Sequence, residues 1–587
     1  MTPTVTPLLP KPVSHPTRNL DHWTHAKLAP LTGGISTVAL QLAFMDWLLH
    51  LSRNPGQMAE LRVAAGQEAA LLAQELVALH AAASADAPQP PLNLLQDRRF
   101  ADPAWQTWPF NLYSQAFLRT QAWWQRASTG VRGVSKHHED VVSFTVRQLL
   151  DTLSPANQVA TNPVVLQRMA HTGGASLWQG FQNYQDDMQL LRTQAAPLGT
   201  DAYPVGTVVA TSPGQVVFRN RLIELIQYTP SGDTVHPEPI LIVPAWIMKY
   251  YILDLSPGNS LVKFLVDQGF TVFVVSWTNP TAHDRDLGMD DYLRMGVMDA
   301  LEAVCTVVPG PKVHAVGYCL GGTLLSMAAA AMGRDGDGRL ASLTLLAAQT
   351  DFSEPGELAL FIDESQIALL EDSMWDKGYL DNQQMAGAFQ MISSTDLVWS
   401  RMLHDYLMGQ RTPVGDVMAW NADGTRLPYR MHTEYLRSLY LHNDLARGRY
   451  PVRGKPVALT DLACPIFCVG TVRDHVAPWR SVYKLHLLTD VELTFLLTSG
   501  GHNVGIVNPP GVPHRSYQVQ IRQHGGKFVD PDTWLAATPE QEGSWWPVWA
   551  DWLQARSGPL GALPSMGAEA QGLPPLCPAP GTYVLQK

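Results

Sequence analysis

Charge is scarce in this chain. Asp, Glu, Lys and Arg make up 16% of its 587 residues, well under the roughly one quarter usual in globular proteins. The net charge is −11, which excludes non-specific attraction to nucleic acid or to an anionic membrane surface. No block of like charges occurs, so neither a polybasic nor an acidic tail is expected. Cysteine is sparse too. The five, Cys305, Cys319, Cys464, Cys468 and Cys577, are too few and odd in number for a disulfide framework, and fit a reducing compartment. Cys464 and Cys468 flank Pro465-Ile466-Phe467 in a strand-like run with no second Cys or His pair nearby, so they are expected in the core rather than on zinc. The best apolar run, Pro239 to Met248, is about half the length needed to span a bilayer. The opening MTPTVTPLLPKPVSHPTRNL is Pro-rich and lacks the apolar segment of a signal peptide. No internal repeat is present. These absences predict a cytoplasmic chain with no transmembrane segment and no nucleic-acid partner.

What is present is apolar. Hydrophobic residues make up 46%, with 18 Trp, so a large core is available and some apolar surface, suited to an amphiphilic partner, is expected. The length suggests two or more domains. After a flexible lead (1–18), VALQLAFMDWLLHL and AALLAQELVALHAA place apolar residues three and four apart, the helical period. SADAPQPP interrupts this pattern, and NLYSQAFLRTQAWWQRA and EDVVSFTVRQLLDTL resume it. Residues 1–204 are therefore expected to form a mainly helical N-terminal domain. Near Pro204 the pattern changes. VGTVVATSPGQVVFRNRLIELIQYTP reads as a β-hairpin around a Pro-Gly turn. PILIVPAW, TVFVVSW, KVHAVGY, LASLTLLAA, CPIFCVGT and VELTFLLTS then alternate with helical segments, which predicts an α/β domain over 205–587 built on a parallel sheet covered on both faces. A helical insertion over about 352–453, at the carboxyl end of a parallel strand, is expected to act as a lid. The Pro/Gly/Ala-rich tail after Gly558 is expected to be loosely ordered.

The chemistry centres on GYCLGGTL, Gly317 to Leu324. It follows a predicted strand and opens a small-residue helix, the setting of a nucleophile elbow with Cys319 in place of serine. The flanking Gly317 and Gly321 suit a tight turn, and the helix N-terminus aimed at Cys319 favours a thiolate. In this fold the order is nucleophile, acid, base. Asp474 in VRDHVAP and His502 in GGHN each follow an apolar strand and fill the last two places. His475, beside Asp474, is a competing base but is read as orienting, because adjacent side chains rarely converge on one nucleophile. His314 alternates within a strand and is expected on the sheet face. The backbone N–H of Leu320 is one expected oxyanion donor. The other is expected from Trp246 or Ile247, since Pro244 has no N–H to give.

Several longer words resemble the polyhydroxyalkanoate synthases, a family of α/β-hydrolase-fold acyltransferases. They include DRRFADPAW, PGQVVFRNRLIELIQY, KYYILDLSPGNSLV, DFSEPGELALFIDESQ, KGYLDNQQMAGAFQ, WNADGTRLP, RDHVAPW and GGHN. The match runs over about 95–555, and the helical first stretch resembles the extra N-terminal region of class I-like members. The resemblance implies polymerisation of (R)-3-hydroxyacyl-CoA with release of CoA. It makes Cys319 the acyl-bearing nucleophile and His502 its base, and assigns Asp474 to activating the incoming 3-hydroxyl, directly or through the histidine. It implies no metal and no organic cofactor, and a homodimer at the surface of cytoplasmic storage granules. The chain departs from the family's words at PAWIMK, where Pro-Pro-x-Ile-Asn-Lys is usual, at Thr278 in SWTNP, where Arg is usual, and at Ser393 and Thr395 in SSTDLVW.

Two functions share this triad. One is the synthase; the other is a hydrolase, either a cysteine-dependent intracellular depolymerase of the same polyesters or a thioesterase. A thiol suits the first, because exchange of one thioester for another keeps the acyl group activated toward a hydroxyl. The lid words DFSEPGEL and KGYLD favour it as well.

Overall fold

The computed structural model describes residues 16–85, 97–193, 195–382, 384–385, 387 and 398–587. The chain divides into two compact units, and neither is one continuous segment. Thr37–Asp201 and Gly387–Gly415 form a helical unit, and Met1–Ser36, Ala202–Ala386 and Asp416–Lys587 form the α/β unit. The expectation divided the chain at 204/205; these units meet between Asp201 and Ala202, with Met1–Ser36 in the α/β unit and Gly387–Gly415 in the helical one.

In the helical unit, Thr37–Ser52 is followed by Pro55–Ala85, Phe110–Ser128, Lys136–Thr152, Pro163–His171 and Ala175–Thr193. Local chemistry starts these helices. The Ser135 side chain caps the His138 N–H at 3.3 Å, and Asn162 accepts from Val164 and Val165 ahead of a first-turn proline. Phe100, Trp105, Phe117, Leu118 and Ala156 make one small core, and Ala43, Val142 and Val146 another. Segment 398–415 belongs here because Asp187 gathers Arg401, Arg411 and the Tyr406 hydroxyl, while Asn183 donates to the Asp405 carbonyl at 2.8 Å.

The α/β unit is built on one sheet of eleven strands. In chain order they are β1 Gly214–Arg219, β2 Ile223–Tyr228, β3 Ile240–Val243, β4 Val272–Trp277, β5 Val313–Tyr318, β6 Leu340–Leu346, β7 Ile466–Thr471, β8 Leu493–Thr498, β9 Ser516–Arg522, β10 Glu540–Glu542 and β11 Cys577–Pro578. The spatial order is β10-β9-β8-β7-β6-β5-β3-β4-β2-β1-β11. From β4 to β8 every pairing is parallel. All residues of β3, β4, β5, β7 and β8 are buried, as strands apolar on both faces require. The predicted runs are these strands.

Three local expectations are corrected. The hairpin turns at Asn220 rather than at Pro213-Gly214. The Asn220 side chain accepts from the N–H of Leu222 and of Ile223 at 2.8 and 2.9 Å, a turn that Pro-Gly could not compete with once β1 and β2 had paired. At the amino end, 16–18 open a helix, Pro16–Leu28, with proline in its first turn; the rest of the expected lead lies outside the described residues. This helix packs on Glu364–Trp375 of the insertion, where His22 and His25 share the Asp372 carboxylate. Thirdly, the tail after Gly558 is tied down. Its β11 extends the sheet beside β1, and Glu224, fully buried, accepts from the N–H of Thr582 and Tyr583 at 2.8 and 2.9 Å while pairing with Arg219. Composition alone missed this, because Glu224, which holds the backbone of Thr582 and Tyr583, lies more than 350 residues away. Ser393 and Thr395 fall outside the described residues.

Among the described residues, no helix is long and apolar enough to cross a membrane. Limited digestion of the folded protein with subtilisin is expected to leave 559–587 attached. Early release of a fragment from this segment would show that it is not held.

Candidate active site

Cys319 joins β5 to the helix Leu320–Asp335 and stands as that helix's N-cap, at φ 53° and ψ −126°. A non-glycine residue there costs about 1–3 kcal/mol, and such strain persists only where the surroundings fix it. They do so on both sides. The Cys319 N–H donates to the Leu346 carbonyl at 2.9 Å, and its carbonyl accepts from Gly322 and Thr323 at 2.9 and 3.2 Å. The glycines are required by close approach. A Cβ on Gly317 would meet the Gly322 Cα at 2.3 Å, and one on Gly321 would meet the Val243 carbonyl oxygen at 2.1 Å. Strand β5, the helix and the loop after β3 thus press together around the thiol.

The chain brings Asp474 and His502 to the same place. Asp474 follows β7, and its carboxylate accepts from the Thr471 hydroxyl and from the N–H groups of Val476 and Ala477, at 3.0, 2.9 and 2.8 Å. Its remaining bond is to His502 Nδ1, at 2.8 Å. Burial alone would raise the Asp474 pKa, but the His502 charge, that bond and the two backbone donors hold it below the usual carboxylate range. Burial likewise disfavours the His502 imidazolium. The Asp474 carboxylate outweighs it, followed by the nearby Cys319, so the imidazole is raised well above its ordinary range. The sign follows. The raised His502 stabilises the fold at pH values below the ordinary imidazole range and loses this as pH rises through its folded value; Asp474 stabilises above the ordinary carboxylate range and loses this as pH falls.

Sequence reasoning passed over several neighbours. The ring of Tyr318 stacks on His502 at 5.7 Å, and its hydroxyl donates to Asn503 at 2.5 Å, so the residue before Cys319 braces the segment that carries His502. Its place inside GYCLGG and the Asn of GGHN were the available signals. From the insertion come Tyr435 and Tyr440, linked hydroxyl to hydroxyl at 3.2 Å, with Phe352 against Tyr440 and Trp246 against Tyr435. Burial is the main cause that keeps both tyrosines neutral, and both also feel the charge of Cys319. Cys319 itself is 7% exposed.

The other candidates separate. His475 is exposed, and among the described residues its side chain makes no hydrogen bond to Cys319, Asp474 or His502. His314 is buried in the sheet between Ser342 and Ser557, at 2.7 and 3.0 Å, and burial pushes it down to about 4. Cys464 and Cys468 lie in the core, pushed up to about 12 by burial. Leu320 opens the helix behind Cys319, and Trp246 and Ile247 lie on the loop after β3 that Gly321 touches.

A mainly parallel sheet with a strained Cys at the turn from strand to helix, and with an Asp and a His after later strands, is the layout of the α/β-hydrolase class, and residues 238–509 match the model of that fold. Residues 15–57 match a family described as the N terminus of poly-beta-hydroxybutyrate polymerase, and 96–265 match the N-terminus of the same polymerase. A poly(3-hydroxyalkanoate) polymerase of Methylorubrum extorquens is 39% identical over 542 residues, covering 91% of this chain and 88% of that protein. The polymerase subunit PhaC of Rhizobium meliloti is 38% identical, covering 80% and 77%. That of Cupriavidus necator is 36% identical, covering 84% of each. The chain belongs to the poly(3-hydroxyalkanoate) polymerase family and is an acyltransferase enzyme.

In an NMR titration, the His502 imidazole is expected to lose its proton well above the ordinary histidine range. Asp474→Asn should bring it back toward that range, and Cys319→Ala should do so to a smaller extent. An unchanged titration in Asp474→Asn would contradict the coupling.

Proposed function

We propose that this enzyme polymerises (R)-3-hydroxyacyl-CoA, with the growing acyl chain held as a thioester on Cys319. The observation that carries the reading is the line Cys319, His502, Asp474 at a strained elbow. His502 takes the thiol proton as Sγ attacks the acyl carbonyl; the C–S bond to CoA breaks, and CoA leaves as its thiol with that proton. Asp474 holds Nδ1 and balances the imidazolium charge. The 3-hydroxyl of the next unit then attacks the enzyme thioester, its proton passing to His502 directly or with help from Asp474. The new ester bond forms as the C–S bond to Cys319 breaks and its thiol is regenerated with that proton; the lengthened chain, now a CoA thioester, returns to Sγ by a repeat of the first step, which releases CoA. The oxyanion formed at each attack is placed against the N–H of Leu320 and that of Trp246 or Ile247.

The thioester supplies its own activation, so the reading calls on no metal and no organic cofactor. Buried Tyr435 and Phe352, packed on Tyr440 of the insertion, would favour transfer to a hydroxyl over transfer to water if they shield the thioester. Family membership argues for polymerisation and against the hydrolase. The same reading puts a homodimer at the storage-granule surface in the cytoplasm. The low charge content and exposed Trp23, Trp108 and Trp178 suit an amphiphilic interface.

Purified protein given (R)-3-hydroxybutyryl-CoA is expected to release CoA and form polymer together. CoA release without polymer would instead favour a thioesterase. Cys319→Ala should abolish both products. His502→Gln should slow turnover by about 10²–10⁴-fold, the range for loss of a general base, and His475→Ala should be far milder. The reverse ranking would overturn the choice of base.

A further inference from the structure

The last six residues, 582–587, hold the loop that follows β3, and we infer that they position its N–H groups for catalysis. This inference rests on the acyl transfer at Cys319 proposed above.

The loop 244–249 is gripped by its carbonyls. Trp277 Nε1 donates to the Pro244 carbonyl at 2.9 Å and Trp420 Nε1 to that of Lys249 at 2.7 Å. Thr425 gives its hydroxyl to the Trp246 carbonyl at 2.5 Å and its N–H to that of Ile247 at 3.3 Å. With these carbonyls engaged elsewhere, the N–H groups of Trp246 and Ile247 have no partner among the described residues. That is the condition an oxyanion donor must meet before substrate arrives.

The far end of the loop is held by the tail. Lys249 is 3% exposed, and its ammonium donates to the carbonyls of Gln586 and Tyr583 at 2.7 and 3.5 Å. The Gln586 side-chain oxygen accepts from the Thr278 hydroxyl and the Asn279 N–H at 3.0 and 2.7 Å. Asn279 in turn accepts from the Arg426 N–H at 2.9 Å, next to Thr425. Arg426 donates to the Lys587 carbonyl at 3.0 Å, and Lys587 pairs with Asp423 at 2.9 Å. Val584, 1% exposed, anchors the tail in the core cluster that contains Cys319. The tail thus ties together the loop, the end of β4 and the segment 420–426.

A buried ammonium needs acceptors. Burial pushes Lys249 down to about 8, opposed by Asp423, while Lys587 and Arg426 press it further down. If the tail shifts, Lys249 must seek water and draw its own backbone with it. A displacement well under 1 Å is enough to weaken an oxyanion contact, since misplacement of about 1 Å costs on the order of 100-fold.

The test uses the full-length chain with Gln586→Ala, Gln586→Glu and Lys249→Met. Two rates are compared: CoA release from (R)-3-hydroxybutyryl-CoA, and alkylation of Cys319 by iodoacetamide. Alkylation forms a thioether with loss of iodide and develops no charge on a carbonyl oxygen, so it does not use the loop's N–H groups. Gln586→Ala and Lys249→Met are expected to lower kcat about tenfold, with KM within about twofold and alkylation at the wild-type rate. Gln586→Glu keeps an acceptor for Thr278 and Asn279 and should restore most of the activity. An unchanged kcat in both damaging variants, or alkylation falling in step with kcat, would overturn the positioning role. If Cys319→Ala still released CoA, the failure would instead lie in the proposed function.

Discussion

Everything at this site depends on one close approach. Strand β5 and the helix Leu320–Asp335 meet so tightly at Gly317 and Gly322 that no side chain fits between them, and Gly321 presses on the loop after β3 in the same way. This contact, with the hydrogen bonds of the Cys319 backbone, holds Cys319 at φ 53°, with its successor's N–H at the helix start. The parallel pairing of β5 with β3 and with β6 fixes both walls of the turn. The strain of about 1–3 kcal/mol is therefore offset by the centre of the sheet, its most buried part.

From that fixed point the chemistry is electrostatic. Asp474 is taken out of water, yet it stays ionised because four donors converge on it. Its charge stabilises the His502 imidazolium, whose ring stacks on Tyr318. The protonated form of His502 is thus stabilised, as the proposed proton transfer from thiol to departing group requires. Tyrosines from the insertion complete a low-dielectric site in which these charges interact strongly.

Much of this was legible in the sequence, for a physical reason. Strands buried on both faces, such as ILIV and VFVVSW, have no polar positions to obscure them, and the elbow's glycines mark a steric need that local sequence must satisfy. Residues settled by distant partners were not legible. The tail after Gly558 has a loop's composition, but its order comes from Glu224, Lys249 and the edge of β1. The turn at Asn220 was hidden by a more conspicuous Pro-Gly pair. Tyr318 closes an apolar strand in the sequence, and nothing local marks it as a brace for His502. Thr278, where the family's usual word has Arg, now has a role: its hydroxyl meets Gln586, and the space beside β4 is filled by the tail.

The central claim is that acyl groups reside on the Cys319 sulfur during turnover. Acid quenching during steady-state turnover, followed by digestion and mass spectrometry, tests it most directly. The account predicts a hydroxyacyl adduct, released by hydroxylamine, on the peptide that contains Cys319. Continuing CoA release with that peptide unmodified, or with the adduct on another side chain, would contradict it.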